Sequence, residues 1–172
     1  MKKILMMAAL VVASVSARAQ VWVGGALSYD FDKTAGFKTN TITIAPEVGY
    51  NLSDKWAIAI DVDYSVGFGD GATTHTFDIT PYARYTFFKS GIASFFVDGG
   101  FNIGADKVGA ASAQTTWGIG FQPGISLALS PKFNFVTKLG YLGYQHREAT
   151  NSDQFGLGVN NRILSVGLYY NF

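Results

Sequence analysis

Two histidines, a few closely spaced carboxylates and no cysteine are all that this sequence offers for nucleophilic or metal chemistry. A lipid hydrolase or acyltransferase needs a hydroxyl nucleophile beside an imidazole base. Alternate residues of a strand share a face, so His-x-Ser is the arrangement to look for. His75 is followed by Thr76-Phe77 and His146 by Arg147-Glu148, and neither fits. Both histidines fall at the edges of expected loops, where a surface polar residue accounts for them. Asp61-x-Asp63 has the form of an acid pair for water activation, but no histidine lies near it in sequence. No His-x-His or His-x-x-His pair and no loop with calcium-ligand spacing occurs, so no metal is expected. Asp30-Phe31-Asp32 and Asp70-Gly71 read instead as turn chemistry. Gly118-Ile119-Gly120 opens no helix, which a phosphate-cradling glycine loop must do. The expectation is a protein that is not an enzyme and carries no cofactor.

The remaining charged residues sit singly along alternating apolar segments, and those segments decide what the charges can do. From Trp56 the even positions Trp56, Ile58, Ile60, Val62, Tyr64, Val66 and Phe68 are all apolar. Between them stand Ala57, Ala59, Asp61, Asp63, Ser65 and Gly67. This period-two run is far longer than the usual strand of about 5–6 residues. A tilted strand needs about 9–11 residues to cross a bilayer, with one face to lipid and the other to the lumen.

The alternation recurs in eight segments. The fourth sets Phe77, Ile79, Pro81, Tyr85 and Phe87 against Asp78, Thr80, Tyr82, Arg84 and Thr86. The seventh sets Phe133, Phe135, Leu139 and Tyr141 against Asn134 and Lys138. The eighth ends on Leu164, Val166, Leu168, Tyr170 and Phe172, with a break of phase expected near Phe155 to Asn161. Ser53-Asp54-Lys55, Lys89-Ser90-Gly91 and Ser130-Pro131-Lys132 read as tight turns, alternating with longer polar connections near 32–38, 69–74, 105–113 and 146–154. Pro46, Pro81 and Pro123 each precede a tight turn by seven or eight residues; a proline removes a ladder donor, so all three read as bulge sites. The expected fold is all-β: an eight-stranded, antiparallel, up-and-down transmembrane β-barrel.

The amino terminus fits export. Lys2 and Lys3 precede an apolar run from Ile4 to Val15 and then Ala17-Arg18-Ala19, which reads as a signal peptide over residues 1–19, cut after Ala19. Residues 20–172 form the barrel domain. Removing Lys2, Lys3 and Arg18 from 13 basic residues leaves ten against twelve acidic ones. That balance provides no basic stripe for nucleic acid.

The carboxyl terminus carries a polar residue, a glycine two places on, and hydrophobic residues at the third-last and last positions: Ser165, Gly167, Tyr170 and Phe172. This resembles the terminal assembly signal of bacterial outer-membrane barrels. The whole mature chain resembles, as a pattern, the small eight-stranded outer-membrane barrels typified by OmpX and the membrane part of OmpA. The resemblance implies residence in the outer membrane of a Gram-negative envelope, contact with outer-membrane lipid, handling by the barrel-assembly machinery, and a monomer.

Counted from each tight turn, Glu47, Asp61, Arg84, Asp98 and Lys138 fall five to seven residues in, on inward faces. An eight-stranded interior is just wide enough for side chains to fill. Buried charges must be paired, so these five are expected to form a salt-bridged plug. The expected role is structural or surface-interactive. A narrow cation-preferring channel is the rival, since Asp30, Asp63 and Asp78 add acid higher up, and an outer-leaflet lipid enzyme resting on His75 and His146 is the weaker one. No aromatic run or charge block in the loops points to a ligand.

Overall fold

The computed structural model describes residues 20–34, 37–110, 112–148, 152–158 and 165–172. The expected signal segment lies outside these residues, as do 159–161 of the expected phase break. Among the described residues the alternating segments form ten stretches of strand: β1 (Val21–Thr34), β2 (Phe37–Asn51), β3 (Trp56–Gly69), β4 (Thr74–Ser90), β5 (Ala93–Val108), β6 (Gln114–Ala128), β7 (Phe133–Lys138), β8 (Tyr141–Arg147), β9 (Ser152–Gly158) and β10 (Ser165–Asn171). Each pairs antiparallel with its sequence neighbours from β1 to β6. β7 and β8 both pair with β6 and make one barrel strand, while β9 on β8 and β10 on β7 make the last. β1 then pairs with β10 from Trp22↔Asn171 to Ala26↔Gly167. The fold is a closed antiparallel barrel of eight strands, and closure removes the sheet edges that so apolar a surface would otherwise expose.

The tight turns define one end, called here the lower end. Two are built alike. Ser53 Oγ accepts N–H bonds from Trp56 (3.1 Å) and Lys55 (3.3 Å), and Ser130 Oγ accepts from Phe133 (3.1 Å) and Lys132 (3.3 Å). The upper connections are shorter than the sequence suggests, because β1 and β2 stay paired up to Thr34↔Phe37. Asp30-Phe31-Asp32 is therefore not a turn: the three residues sit inside β1 opposite Thr41, Asn40 and Thr39. Asp70 does serve a turn, its Oδ2 accepting the Lys38 N–H at 3.0 Å.

The prolines are not themselves bulge sites. Pro46 and Pro81 interrupt the ladder on one side only, and pairing resumes beyond each in the same register, so no residue is added and neither is a bulge. The register shift recorded between β4 and β5 lies at Thr86/Phe88. Beside Pro123 the irregularity is in the partner strand. Pairing with β6 slips by one residue between β7 and β8, at Leu139-Gly140, while Leu139 N–H donates to the Pro123 carbonyl at 2.7 Å. Gly140 has φ +66°, a conformation that favours glycine, and the extra residue there flips the alternation. Beyond it Leu142, Tyr144 and His146 stand opposite the outward Phe121, Ile119 and Trp117, so the outward face passes from odd to even positions.

Apolar residues cover the outside: Leu27 is 68% exposed, Ile58 48% and Leu168 50%. Aromatic contacts ring both ends of this surface. Trp56–Tyr85, Phe88–Phe95 and Phe133–Tyr170 lie at the lower end, and Phe101–Trp117 and Trp117–Tyr144 toward the upper end. The core sits inside the lower half of the barrel and consists of Trp22, Ala59, Tyr82, Phe96, Val136 and Tyr169. Aromatic rings fit into so narrow a lumen only where the wall gives way. A Cβ on Gly24 would lie 2.2 Å from the Tyr169 ring, and one on Gly124 2.3 Å from the Phe96 ring.

Candidate functional site

Register brings the inward charges together. Glu47 lies directly opposite Asp61 across β2–β3, and Arg84 opposite Asp98 across β4–β5. Lys138 enters from β7, opposite Gly124 of β6 and Ser165 of β10, and its long side chain reaches the carboxylates of β2, β3 and β5. Arg84 donates from Nε to Asp98 Oδ1 at 2.7 Å and from Nη2 to Asp98 Oδ2 at 2.8 Å, a two-point pairing of a planar guanidinium with a carboxylate. Its Nη2 also donates to Tyr82 Oη at 3.1 Å and lies 3.7 Å from Glu47 Oε1. Lys138 Nζ lies 3.2 Å from Glu47 Oε2, 3.4 Å from Asp61 Oδ2 and 3.7 Å from Asp98 Oδ2. All five residues the sequence singled out for the lumen thus belong to one network, and Glu47, Arg84, Asp98 and Lys138 are buried.

Three carboxylates meet two cations, and the surplus is met by a group the sequence reading passed over. Tyr169 donates its hydroxyl to Glu47 Oε2 at 2.5 Å. Trp22 and Tyr169 stack at 4.7 Å, and the Arg84 guanidinium carbon sits 3.9 Å from the Phe96 ring centroid. Tyr82 faces both cations, with Lys138 Nζ 4.7 Å from its ring. Cations over ring faces are favoured where water is excluded. The signal for these residues was phase alone: Trp22 shares the parity of Gly24, Phe96 that of Asp98, and Tyr169 that of Gly167. Glu47 Oε1 and Asp61 Oδ1 are buried and accept no hydrogen bond among the described residues.

The lumen above and below the network differs in charge. Above, a cavity of about 380 Å³ is lined by Asp61, Asp63, Asp78 and Asp98 with Lys138 as its cation. Asp63 stands directly opposite Asp78 there, a like-charge pair that strand pairing disfavours. Below, a cavity of about 420 Å³ at the lower mouth is lined by Arg84, Lys55 and Lys89 and by neutral polar side chains, with Asp54 as its carboxylate.

The histidines lie outside this system, near the upper ends of outward strand faces. His75 Nδ1 is 2.9 Å from Tyr64 Oη, and His146 Nδ1 is 2.6 Å from Asp153 Oδ1, which also accepts from Tyr144. An imidazole held by a carboxylate is half of a nucleophile-activating triad. No serine or threonine hydroxyl bonds to either ring among the described residues, and no metal-binding cluster is found among them.

The four residues of the terminal pattern, Ser165, Gly167, Tyr170 and Phe172, lie on or next to β10. Ser165 opposes Lys138 and Gly167 opposes Ala26. Tyr170 packs between Phe133 and Phe172, with ring centroids 5.2 and 5.1 Å away. Phe172 N–H donates to the Val21 carbonyl at 3.1 Å, the last bond of the β10–β1 seam.

The outer membrane protein beta-barrel domain family matches residues 4–172. In fold the chain is similar to Neisserial surface protein A, at 18% identity and a TM-score of 0.58, over 90% of this chain and 98% of that one. It is also similar to the outer membrane protein OprG from Pseudomonas aeruginosa, at 13% identity and a TM-score of 0.53, over 90% and 97%. No curated protein matches the sequence.

Proposed function

The chain belongs to the outer-membrane β-barrel family and resides in the bacterial outer membrane, and from that premise we propose that it is a closed barrel with a structural or surface-interactive role. The observation that carries this reading is the network of Arg84, Lys138, Glu47, Asp61 and Asp98, which spans the lumen at one level. A chain of close ion pairs across the lumen opposes a continuous water path, because opening one requires separating buried charges. The barrel reconstituted in a planar bilayer is expected to show no steady conductance.

A second reading, a narrow cation-preferring pore, is favoured by the acidic upper cavity and by three carboxylates facing two cations in the network. Stable, cation-selective steps in the same bilayer would establish it in place of the first. The weaker alternative, a lipid-modifying enzyme of the outer leaflet, has the His146–Asp153 pair as its support. Cells carrying the double His75→Ala, His146→Ala variant are expected to turn over outer-membrane phospholipid and lipid A at the parental rate. A fall in that rate would revive the enzyme.

A further inference from the structure

We propose that the lower cavity is a binding site for a small oxyanion, the carboxylate or phosphate group of a polar solute reaching it from the periplasm. Short turns face the periplasm in such barrels, so this mouth opens there. Its size, about 420 Å³, lies within the range of small-molecule sites.

Three features argue for an anion. First, Lys55 lines the cavity from the turn before β3 and Lys89 from the lower end of β4, and among the described residues neither takes part in an ion pair. Second, Arg84 lines it from the network above. Its side chain is only 10% exposed, and its bonds to Asp98 and Tyr82 use Nε and Nη2. Nη1 is thus uncommitted among the described residues. A guanidinium lying over the Phe96 ring is fixed in place, so an arriving anion meets a donor already oriented. Third, the walls between these cations are hydrogen-bonding but neutral: Thr86, Ser94, Ser126 and Asn134. They suit a polar body attached to the anionic group. Asp54 is the opposing charge, at the rim.

The upper cavity makes the contrast. It is lined by four carboxylates and one lysine, so the two ends of the lumen present opposite charge to the two sides of the membrane. An anion is attracted to the lower mouth and repelled from the upper one. The site therefore holds its solute from one side, without any passage through the barrel.

The test uses the intact barrel refolded in a detergent of no net charge, titrated with inorganic phosphate and, separately, with succinate. Binding is read from the Trp22 indole N–H resonance, since Trp22 lines the cavity. Trp117, on the outward face, serves as the reference signal. A saturable shift of Trp22 with Trp117 unmoved is expected, and the anion that saturates at lower concentration identifies the preferred group. Lys55→Gln with Lys89→Gln should weaken binding by about tenfold or more. Both lysines are exposed at the lower rim, Lys55 in a turn and Lys89 one residue from the end of β4, so the double variant should retain the heat-modifiable gel migration of a folded barrel. The proposal is overturned if neither anion gives a saturable shift in the millimolar range. It is equally overturned if chloride shifts Trp22 as much, or if the double variant binds as tightly as the parent.

Discussion

Arg84→Met is expected to destabilise the folded barrel by about 3–5 kcal/mol, read as a lowered urea midpoint for barrel folded into lipid vesicles. Methionine keeps apolar volume over the Phe96 ring but removes both bonds to Asp98. That carboxylate is 5% exposed, and Lys138 Nζ at 3.7 Å is then its nearest cation. Glu47 loses its own contact with the guanidinium at the same time. The large effect comes from the partner left behind, because a buried charge without its counterion costs more than the pair itself contributes. Arg84→Met combined with Asp98→Leu should therefore recover most of the loss, since the double variant strands no charge at that position. An unchanged midpoint in the single variant would mean that water reaches Asp98 freely, and the closed-lumen reading would fall with it.

Deleting Phe172 should have the opposite profile: little change in the stability of a folded barrel, and a severe defect of assembly in cells. In the folded protein the residue contributes one N–H bond to Val21 and one edge-on contact with Tyr170. Those are worth about 0.5–1.5 kcal/mol each, while the β10–β1 pairing from Trp22 to Ala26 remains to close the seam. The terminal pattern of Ser165, Gly167, Tyr170 and Phe172 resembles the signal read by the barrel-assembly machinery, and we propose that this is its main role. The deletion variant should refold in detergent nearly as the parent does, yet accumulate unfolded in the periplasm. Normal surface levels in cells would show that the terminus is not read in this way.

How much of this was legible beforehand depends on how local the determinant is. Side-chain period along a strand is a property of adjacent residues, so eight alternating segments were enough for the barrel, for its inward and outward faces and for the five charges of the lumen. Glu47, Asp61, Arg84, Asp98 and Lys138 could be placed at one level because each is counted from a nearby turn. Bulges were not legible, since a bulge is a mismatch between two strands. Pro46 and Pro81 interrupt pairing without shifting it, whereas the shift beside Pro123 belongs to Gly140 in the facing strand. Nor could the sequence show which loops are strand, because Asp30-Phe31-Asp32 is held extended by its partners in β2. The aromatic floor and the opposite charges of the two cavities were decided by the tertiary structure alone. Trp22, Phe96 and Tyr169 meet only when strands distant in the chain close on one another, and their rings fit because Gly24 and Gly124 leave room. Charge at either mouth is likewise a sum over several strands, and barrel closure determines which members of that sum face one another.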